Sequence, residues 1–121
     1  MKTKFYTINQ NNSGGYFIVD DKAGVARFLI IEAKDAAQAE RVMDGISYDC
    51  PTFYDFCNCC GKRWSSWIHD DDGVEKPEIY GEPAQEYMNT SGRSYLGEEN
   101  SAFIHYLDGR KEKIVGMLQN K

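Results

Sequence analysis

The sequence contains no long uninterrupted run of apolar residues. Nowhere in its 121 residues does a stretch approach the ~18 apolar residues that a membrane-spanning helix requires. Met1 to Asn9 alternates polar and apolar side chains, so it also lacks the apolar region of a secretory signal. We therefore expect a cytoplasmic protein that has no membrane partner.

Proline and positive charge are also scarce. Three prolines and eleven glycines exclude a collagen-like repeat and a low-complexity polymer, and the length predicts one globular domain over residues 1–121. Fourteen basic residues stand against nineteen acidic ones, which gives a formal net charge of −5. This charge argues against nonspecific binding to the phosphates of nucleic acid.

Aromatic and β-branched residues are abundant, and their short runs predict strands. Lys4 to Ile8 and Tyr16 to Val19 flank turn-forming residues and predict a hairpin. Val25 to Ile31 is too apolar for a strand with one wet face, so it predicts a central strand. Ala102 to Leu107 and Lys111 to Val115 flank an Asp-Gly pair that suits a two-residue type I′ hairpin turn.

One segment has the pattern of an amphipathic helix. Asp35 and Gln38 have the spacing of a capping box, and apolar residues then recur at the positions of one helical stripe, namely Ala39, Val42, Met43 and Ile46. A helix from about Ala36 to Ile46 is therefore predicted, with weaker signals for a strand at Glu78 to Tyr80 and a helical turn at Ala84 to Met88. The expected fold is α+β: an antiparallel sheet of about four to six strands, one main helix on one face, and a Cys-rich irregular segment.

All four cysteines lie between positions 50 and 60, where the helical period is lost. In the reducing cytoplasm such a cluster indicates a metal site or reduced thiols before disulfides. The predicted zinc ligands are Cys57 and Cys60, completed by Cys50 and by either Cys59 or His69. Two alternatives stay open, since the thiols could pack as small apolar side chains or carry out redox chemistry.

The sequence shows no catalytic constellation, so we expect a protein that is not an enzyme. His69 and His105 are the two histidines that could serve a cysteine nucleophile as a base. His69 flanks an acidic turn and is expected in solvent, while His105 lies in a predicted strand and is expected to point outward.

The residues after the cysteines combine the side-chain types that dominate binding hot spots. Their cationic and aromatic groups could contact a protein or stack on a nucleotide, although both tryptophans could instead belong to the core. The predicted binding residues are Lys62, Arg63, Trp64, Trp67, Asp70, Asp71 and Asp72.

Four motifs together resemble a family of small uncharacterised proteins of tailed bacteriophages that has a CxCCGxRW motif. They are Asn11-Asn12-Ser13-Gly14-Gly15 before Phe17-Ile18-Val19-Asp20, Cys57-x-Cys59-Cys60-Gly61-x-Arg63-Trp64, Ile79-Tyr80-Gly81-Glu82, and Ile104-His105-Tyr106-x-Asp108-Gly109. The resemblance implies an origin in a phage and brings no mechanism and no site residues. Small acidic phage proteins of this kind often bind a host protein or neutralise a defence system.

Four functions are compatible with these observations. The first is a phage-encoded binding protein that acts stoichiometrically on a host protein or an antiviral defence component in the host cytoplasm. The second is a protein that sequesters a small nucleotide signal. The third is a low-turnover enzyme that uses a thiol or a metal, and the fourth is a structural zinc-binding module that is associated with nucleic acid.

Overall fold

The computed structural model describes residues 2–9, 20–50, 56–57, 61–62, 68, 70–79, 81–91 and 101–115. Its fold is α+β, as the sequence predicts. The elements in chain order are β1 (Lys4–Asn9), β2 (Phe28–Ala33), α1 (Ala36–Asp49), β3 (Phe56–Cys57), β4 (Gly61–Lys62), a 3₁₀ turn (Asp70–Asp72), β5 (Glu78–Ile79), β6 (Glu82–Pro83), α2 (Ala84–Ser91), β7 (Ser101–His105) and β8 (Lys111–Val115).

The main sheet has four strands in the order β1-β2-β7-β8, with two short two-stranded sheets, β3-β4 and β5-β6, beside it. The strand predicted to be central, β2, does lie between two neighbours. Its pairing with β7 is parallel, however, and starts at Phe28 opposite Ala102. The sheet is therefore mixed. A parallel pair needs a crossover connection, and the segment between β2 and β7, which contains α1 and α2, provides it.

Within the described residues, β1 has a partner that the sequence did not predict. β1 pairs antiparallel with β2, from Lys4 opposite Ala33 to Asn9 opposite Phe28. The other half of the predicted N-terminal hairpin, Tyr16 to Val19, lies outside the described residues.

The main helix begins at the predicted residue and ends three residues after the predicted end. The Asp35 carboxylate accepts a hydrogen bond from the backbone N–H of Gln38 at 2.9 Å, and the Gln38 side chain accepts one from the N–H of Lys34 at 2.8 Å. The helix ends at Asp49, and Cys50 is already extended. The proline at position 51 explains this end, since a proline disfavours helical backbone in the residue before it.

Both faces of the main sheet are buried, and alternate residues of β2 supply both cores. One face of the sheet is covered by α1, and we call it the α1 face. The predicted apolar stripe of α1 packs there, and the buried residues of this core include Tyr6, Ile8, Leu29, Ile31, Ala33, Ala39, Ile46, Cys50 and Phe103. The α2 face contains Phe28, Ile30, Ile79, Ala84, Met88, Ala102, Ile104 and Ile114. Val42 and Met43 are partly buried against the first core.

The elements of the α2 face were only weakly indicated by the sequence, and both predictions are confirmed. β5 occupies the predicted edge-strand position, and α2 covers the predicted helical turn and extends it to Ser91. The N–H of Ala84 donates to the carbonyl of Pro77 at 3.1 Å, which fixes the start of α2 on the strand before it. None of the helices in the described part of the chain is long and apolar enough to cross a membrane.

The C-terminal hairpin is confirmed, but its turn is not the predicted two-residue turn. The N–H of Tyr106 donates to the carbonyl of Arg110, and the N–H of Gly109 donates to the carbonyl of Tyr106. Three residues therefore form the loop, with Gly109 at a φ of +98°, which is the arrangement of a type I turn followed by a left-handed glycine.

His105 was expected to point outward, and this prediction was wrong. The side chain is 6% exposed, and its Nε2 lies 2.7 Å from the carbonyl oxygen of Gly24. Because side chains alternate along a strand, His105 lies on the same face as Phe103, which is the face covered by α1.

Candidate protein-docking surface

The predicted zinc ligands are only partly within the described residues. Cys50 is 2% exposed and packs in the core of the α1 face, as the alternative of a packed thiol expects. Cys57 pairs with Gly61 between β3 and β4. Cys59, Cys60 and His69 themselves lie outside the described residues, and the zinc site stays a prediction.

The predicted binding residues are divided in the same way. Lys62 lies in β4 opposite Phe56, whereas Arg63, Trp64 and Trp67 lie outside the described residues. The acidic residues form the 3₁₀ turn Asp70–Asp72, in which Asp71 and Asp72 are exposed. Among the residues that the structure describes, no three His, Cys, Asp or Glu side chains are grouped as a metal site.

A different surface, on the loop of the β7-β8 hairpin, is fully described. Leu107, the first residue of this loop, is 38% exposed, and Tyr48 on α1 is the other exposed large apolar residue in the described segments. We define the tip surface as Leu107 with the side chains around it, which are Glu32, Tyr106, Asp108, Arg110 and Glu112.

Glu32 fixes the backbone of the tip. One carboxylate oxygen accepts a hydrogen bond from the N–H of Leu107 at 3.0 Å, and the other accepts one from the hydroxyl of Thr3 at 2.6 Å. Glu32 belongs to β2, the central strand, and is the only residue of that strand that is not buried. The backbone of Leu107 is therefore linked directly to the central strand.

Asp108 and Arg110 bind each other on one side of the tip. The Asp108 carboxylate accepts from the backbone N–H of Arg110 at 3.0 Å and from its Nε at 2.9 Å. These hydrogen bonds hold the pKa of Asp108 below its ordinary value, and the bond from the backbone N–H has the larger effect. The guanidinium of Arg110 also lies 4.4 Å from the centre of the Tyr106 ring, a cation-π distance.

Tyr106 is held on its other sides as well. Its hydroxyl donates to the Glu112 carboxylate at 2.7 Å, and its ring meets Phe5 edge to face at 6.1 Å. The hydrogen bond to Glu112 is the main reason why the pKa of Tyr106 is raised, so the phenol stays protonated and remains a donor at neutral pH. The aromatic base of the tip is thus fixed in orientation.

The tip surface presents an apolar side chain, an aromatic ring and an arginine in one fixed arrangement. Tyrosine and arginine are enriched in binding hot spots, and a surface ordered in advance loses less conformational entropy on binding. Sequence reasoning missed this surface because Asp108-Gly109 explained the segment as a turn. The available signal was the apolar Leu107 directly before that turn, where a polar residue is usual.

The chain belongs to the family described as a domain of unknown function, DUF7296, whose model matches residues 3–121. Comparison with curated proteins and with solved structures finds no match to the chain.

Proposed function

We propose that this family member is a phage-encoded binding protein that acts stoichiometrically on a host protein or an antiviral defence component in the host cytoplasm. In this proposal the protein has no catalytic role, and binding alone inhibits or redirects the partner. The observation that carries the proposal is the exposed Leu107, whose backbone N–H is bonded to Glu32 of the central strand.

A leucine held in this way can insert into an apolar pocket of a partner. Full burial of a completely exposed leucine contributes about 1.5–3 kcal/mol, so covering the 38% of Leu107 that is exposed contributes about 1 kcal/mol. The exposed Arg110 beside it can add charge-assisted hydrogen bonds at the rim of the contact. Because the hairpin already orders these residues, most of this free energy is available for binding.

The charges around the tip specify the partner's chemistry. Glu32, Asp108 and Glu112 are acidic, Arg110 is the basic member of the tip, and the whole chain has a net charge of −5. The complementary surface is an apolar pocket with a basic rim, such as the nucleic-acid-binding surface of a host protein. Complementary charge would accelerate association, and the rate would fall as the salt concentration rises.

The test is affinity capture from a bacterial lysate with four forms of the protein. They are the wild type, a Leu107→Ala and Arg110→Ala double variant, an Arg63→Ala and Trp64→Ala double variant, and a Tyr48→Ser control. The control removes an exposed aromatic residue outside the tip surface, since Tyr48 is 88% exposed on α1. Each captured protein is then titrated against every form at two salt concentrations.

A partner of the tip surface loses at least about tenfold in affinity in the Leu107 and Arg110 variant, the effect of one modest hot spot, and keeps its affinity for the Tyr48→Ser control. A partner lost only in the Arg63 and Trp64 variant would move the contact to the surface predicted after the cysteines. A partner that binds all four folded forms equally would exclude both surfaces.

The β3-β4 hairpin supports a second candidate, a structural zinc module associated with nucleic acid. Cys57 lies opposite Gly61 in this pairing, and the spacing of Cys57 and Cys60 in the sequence suits two thiolates directed at one ion. Elemental analysis of protein purified without chelator then finds about one zinc per chain. Folded protein with less than a tenth of that amount would end this proposal.

A further inference from the structure

The turn before β2, residues 20–25, is closed by its own hydrogen bonds. The carbonyl of Asp20 accepts from the N–H of Gly24 at 2.8 Å and from that of Val25 at 2.9 Å. Ala23, Gly24 and Val25 are buried, and Gly24 has a φ of +77°, which favours glycine. The turn is therefore a compact unit that packs on the sheet.

Three side chains of the β7-β8 hairpin attach this turn to the main sheet. Lys111 donates to the carbonyl of Lys22 at 3.1 Å, and Lys113 donates to the Asp21 carboxylate at 2.9 Å. Both of these contacts are exposed to solvent, where such interactions contribute little. The third contact, between His105 Nε2 and the Gly24 carbonyl, is buried, so it is the strongest of the three.

The imidazole also fits closely against Gly24. A Cβ atom placed on Gly24 would lie 2.7 Å from Cε1 and 2.9 Å from Nε2 of His105. Because a carbonyl oxygen only accepts, Nε2 must carry the hydrogen, which makes the neutral ring the Nε2–H tautomer. A second proton would go to Nδ1. Nε2–H would still donate to the Gly24 carbonyl, but the ring would carry a full positive charge in a buried position, and the cost of that burial favours release.

The charged groups around the ring do not compensate that charge. Lys111, directly opposite on β8, is positive and opposes it. Asp21 of the turn is paired with Lys113, and the side chain of Asp20 accepts from the N–H of Ala23. The remaining charged groups of these elements are Lys22, which is exposed on the turn, and Glu112 of β8 and Glu32 of β2, which belong to the tip surface.

We propose that His105 is a proton-sensitive latch, which in its neutral form fastens the turn at residues 20–25 to the sheet and on protonation releases it. Desolvation by burial is the main cause that lowers the pKa of His105 from its usual 6.5; the hydrogen bond to the Gly24 carbonyl opposes this shift, and Lys111 adds to it. A lowered pKa means that the open or unfolded form binds more protons. The latch is therefore fully closed above pH 6.5 and weakens as the pH falls below it.

The N–H groups of Gly24 and Val25 are bonded within the turn, and a turn this short is not stable once it leaves the sheet, so release also opens these bonds. The test therefore follows amide hydrogen exchange at Gly24 and Val25 between pH 7.5 and pH 5, expressed as protection factors, with the buried amide of Ile30 as reference. The matched variant is His105→Gln, whose amide can donate to the same carbonyl but does not titrate. The ¹⁵N shifts and the titration of the imidazole are measured on the wild type, so the test does not depend on the variant alone.

In the wild type we expect Gly24 and Val25 to be less protected than Ile30 at every pH. Their protection falls about tenfold for each unit by which the midpoint of the imidazole titration lies below 6.5, and it stays level in His105→Gln. An Nδ1–H tautomer at neutral pH overturns the latch. So does equal protection at Gly24 and Ile30, or an equal fall of protection in the variant.

Discussion

The helices that cover the two faces of the main sheet differ in length and in how their N-termini are fixed. On one face, α1 runs for 14 residues, begins with a side-chain cap and carries a regular apolar stripe. On the other face, α2 runs for eight residues, and the N–H of its first residue, Ala84, donates to the carbonyl of Pro77. One helix is thus specified by its own sequence, whereas the other is positioned by the strands around it.

The longer, capped helix does not bury its side chains more completely than the shorter one. Met88 of the short helix is 1% exposed, whereas Met43 of the long helix is only partly buried. The central strand explains the contrast, since β2 directs large apolar side chains to both faces. The weaker helix therefore depends on tertiary packing for its stability, as short helices generally do.

The largest expected effect comes from removing one side chain of β2 on each face. Leu29 and Ile30 are neighbours, are both fully buried, and belong to the α1 and α2 faces respectively. Replacing either one with alanine should lower the free energy of unfolding by about 2–5 kcal/mol, measured by urea denaturation. A loss well below about 1 kcal/mol for Ile30→Ala alone would show that the α2 face is not part of the cooperative core.

The next effect compares the two methionines directly. Met88→Ala should lower the free energy of unfolding by at least about 2 kcal/mol, because it opens a cavity under α2. Met43→Ala should cost about half of that or less, since part of the side chain already contacts water. Paired denaturation curves measure the difference, and the reverse order of the two variants would contradict the assignment of burial.

The smallest effect concerns the cap of α1. Asp35→Ala removes the acceptor for the N–H of Gln38 and should lower the free energy of unfolding by about 1 kcal/mol. The control is Glu40→Ala, an exposed position in the same helix, where a change within about 0.5 kcal/mol is expected. Equal stability of the two variants would mean that packing, and not the cap, determines where α1 begins.

Local patterns were sufficient to predict the elements that are specified by neighbouring residues. The Asp35 and Gln38 spacing located the start of α1, and the Asp108-Gly109 pair located the C-terminal hairpin. The parallel pairing of β2 with β7 could not be predicted in this way. It joins Phe28 to Ala102, and no residue near either position encodes a partner so distant in the chain.

The orientation of His105 shows a second limit. Residues 102–107 are apolar at almost every position, so alternation cannot tell which face of the strand is buried. Only the packing of the turn at Gly24 decides it, and that contact spans 81 residues of sequence. Likewise, the exposure of Leu107 follows from a three-residue loop, whereas the sequence indicated a tighter turn.

The crossover between β2 and β7 also determines the order in which the protein can fold during synthesis. While the ribosome has delivered only the first half of the chain, β1, β2 and α1 can associate, but one edge of β2 has no strand to pair with. That edge is apolar and ready to pair with a strand of another molecule until β7 emerges. Slow translation of the intervening segment would therefore favour aggregation, and rapid delivery of residues 101–115 would prevent it.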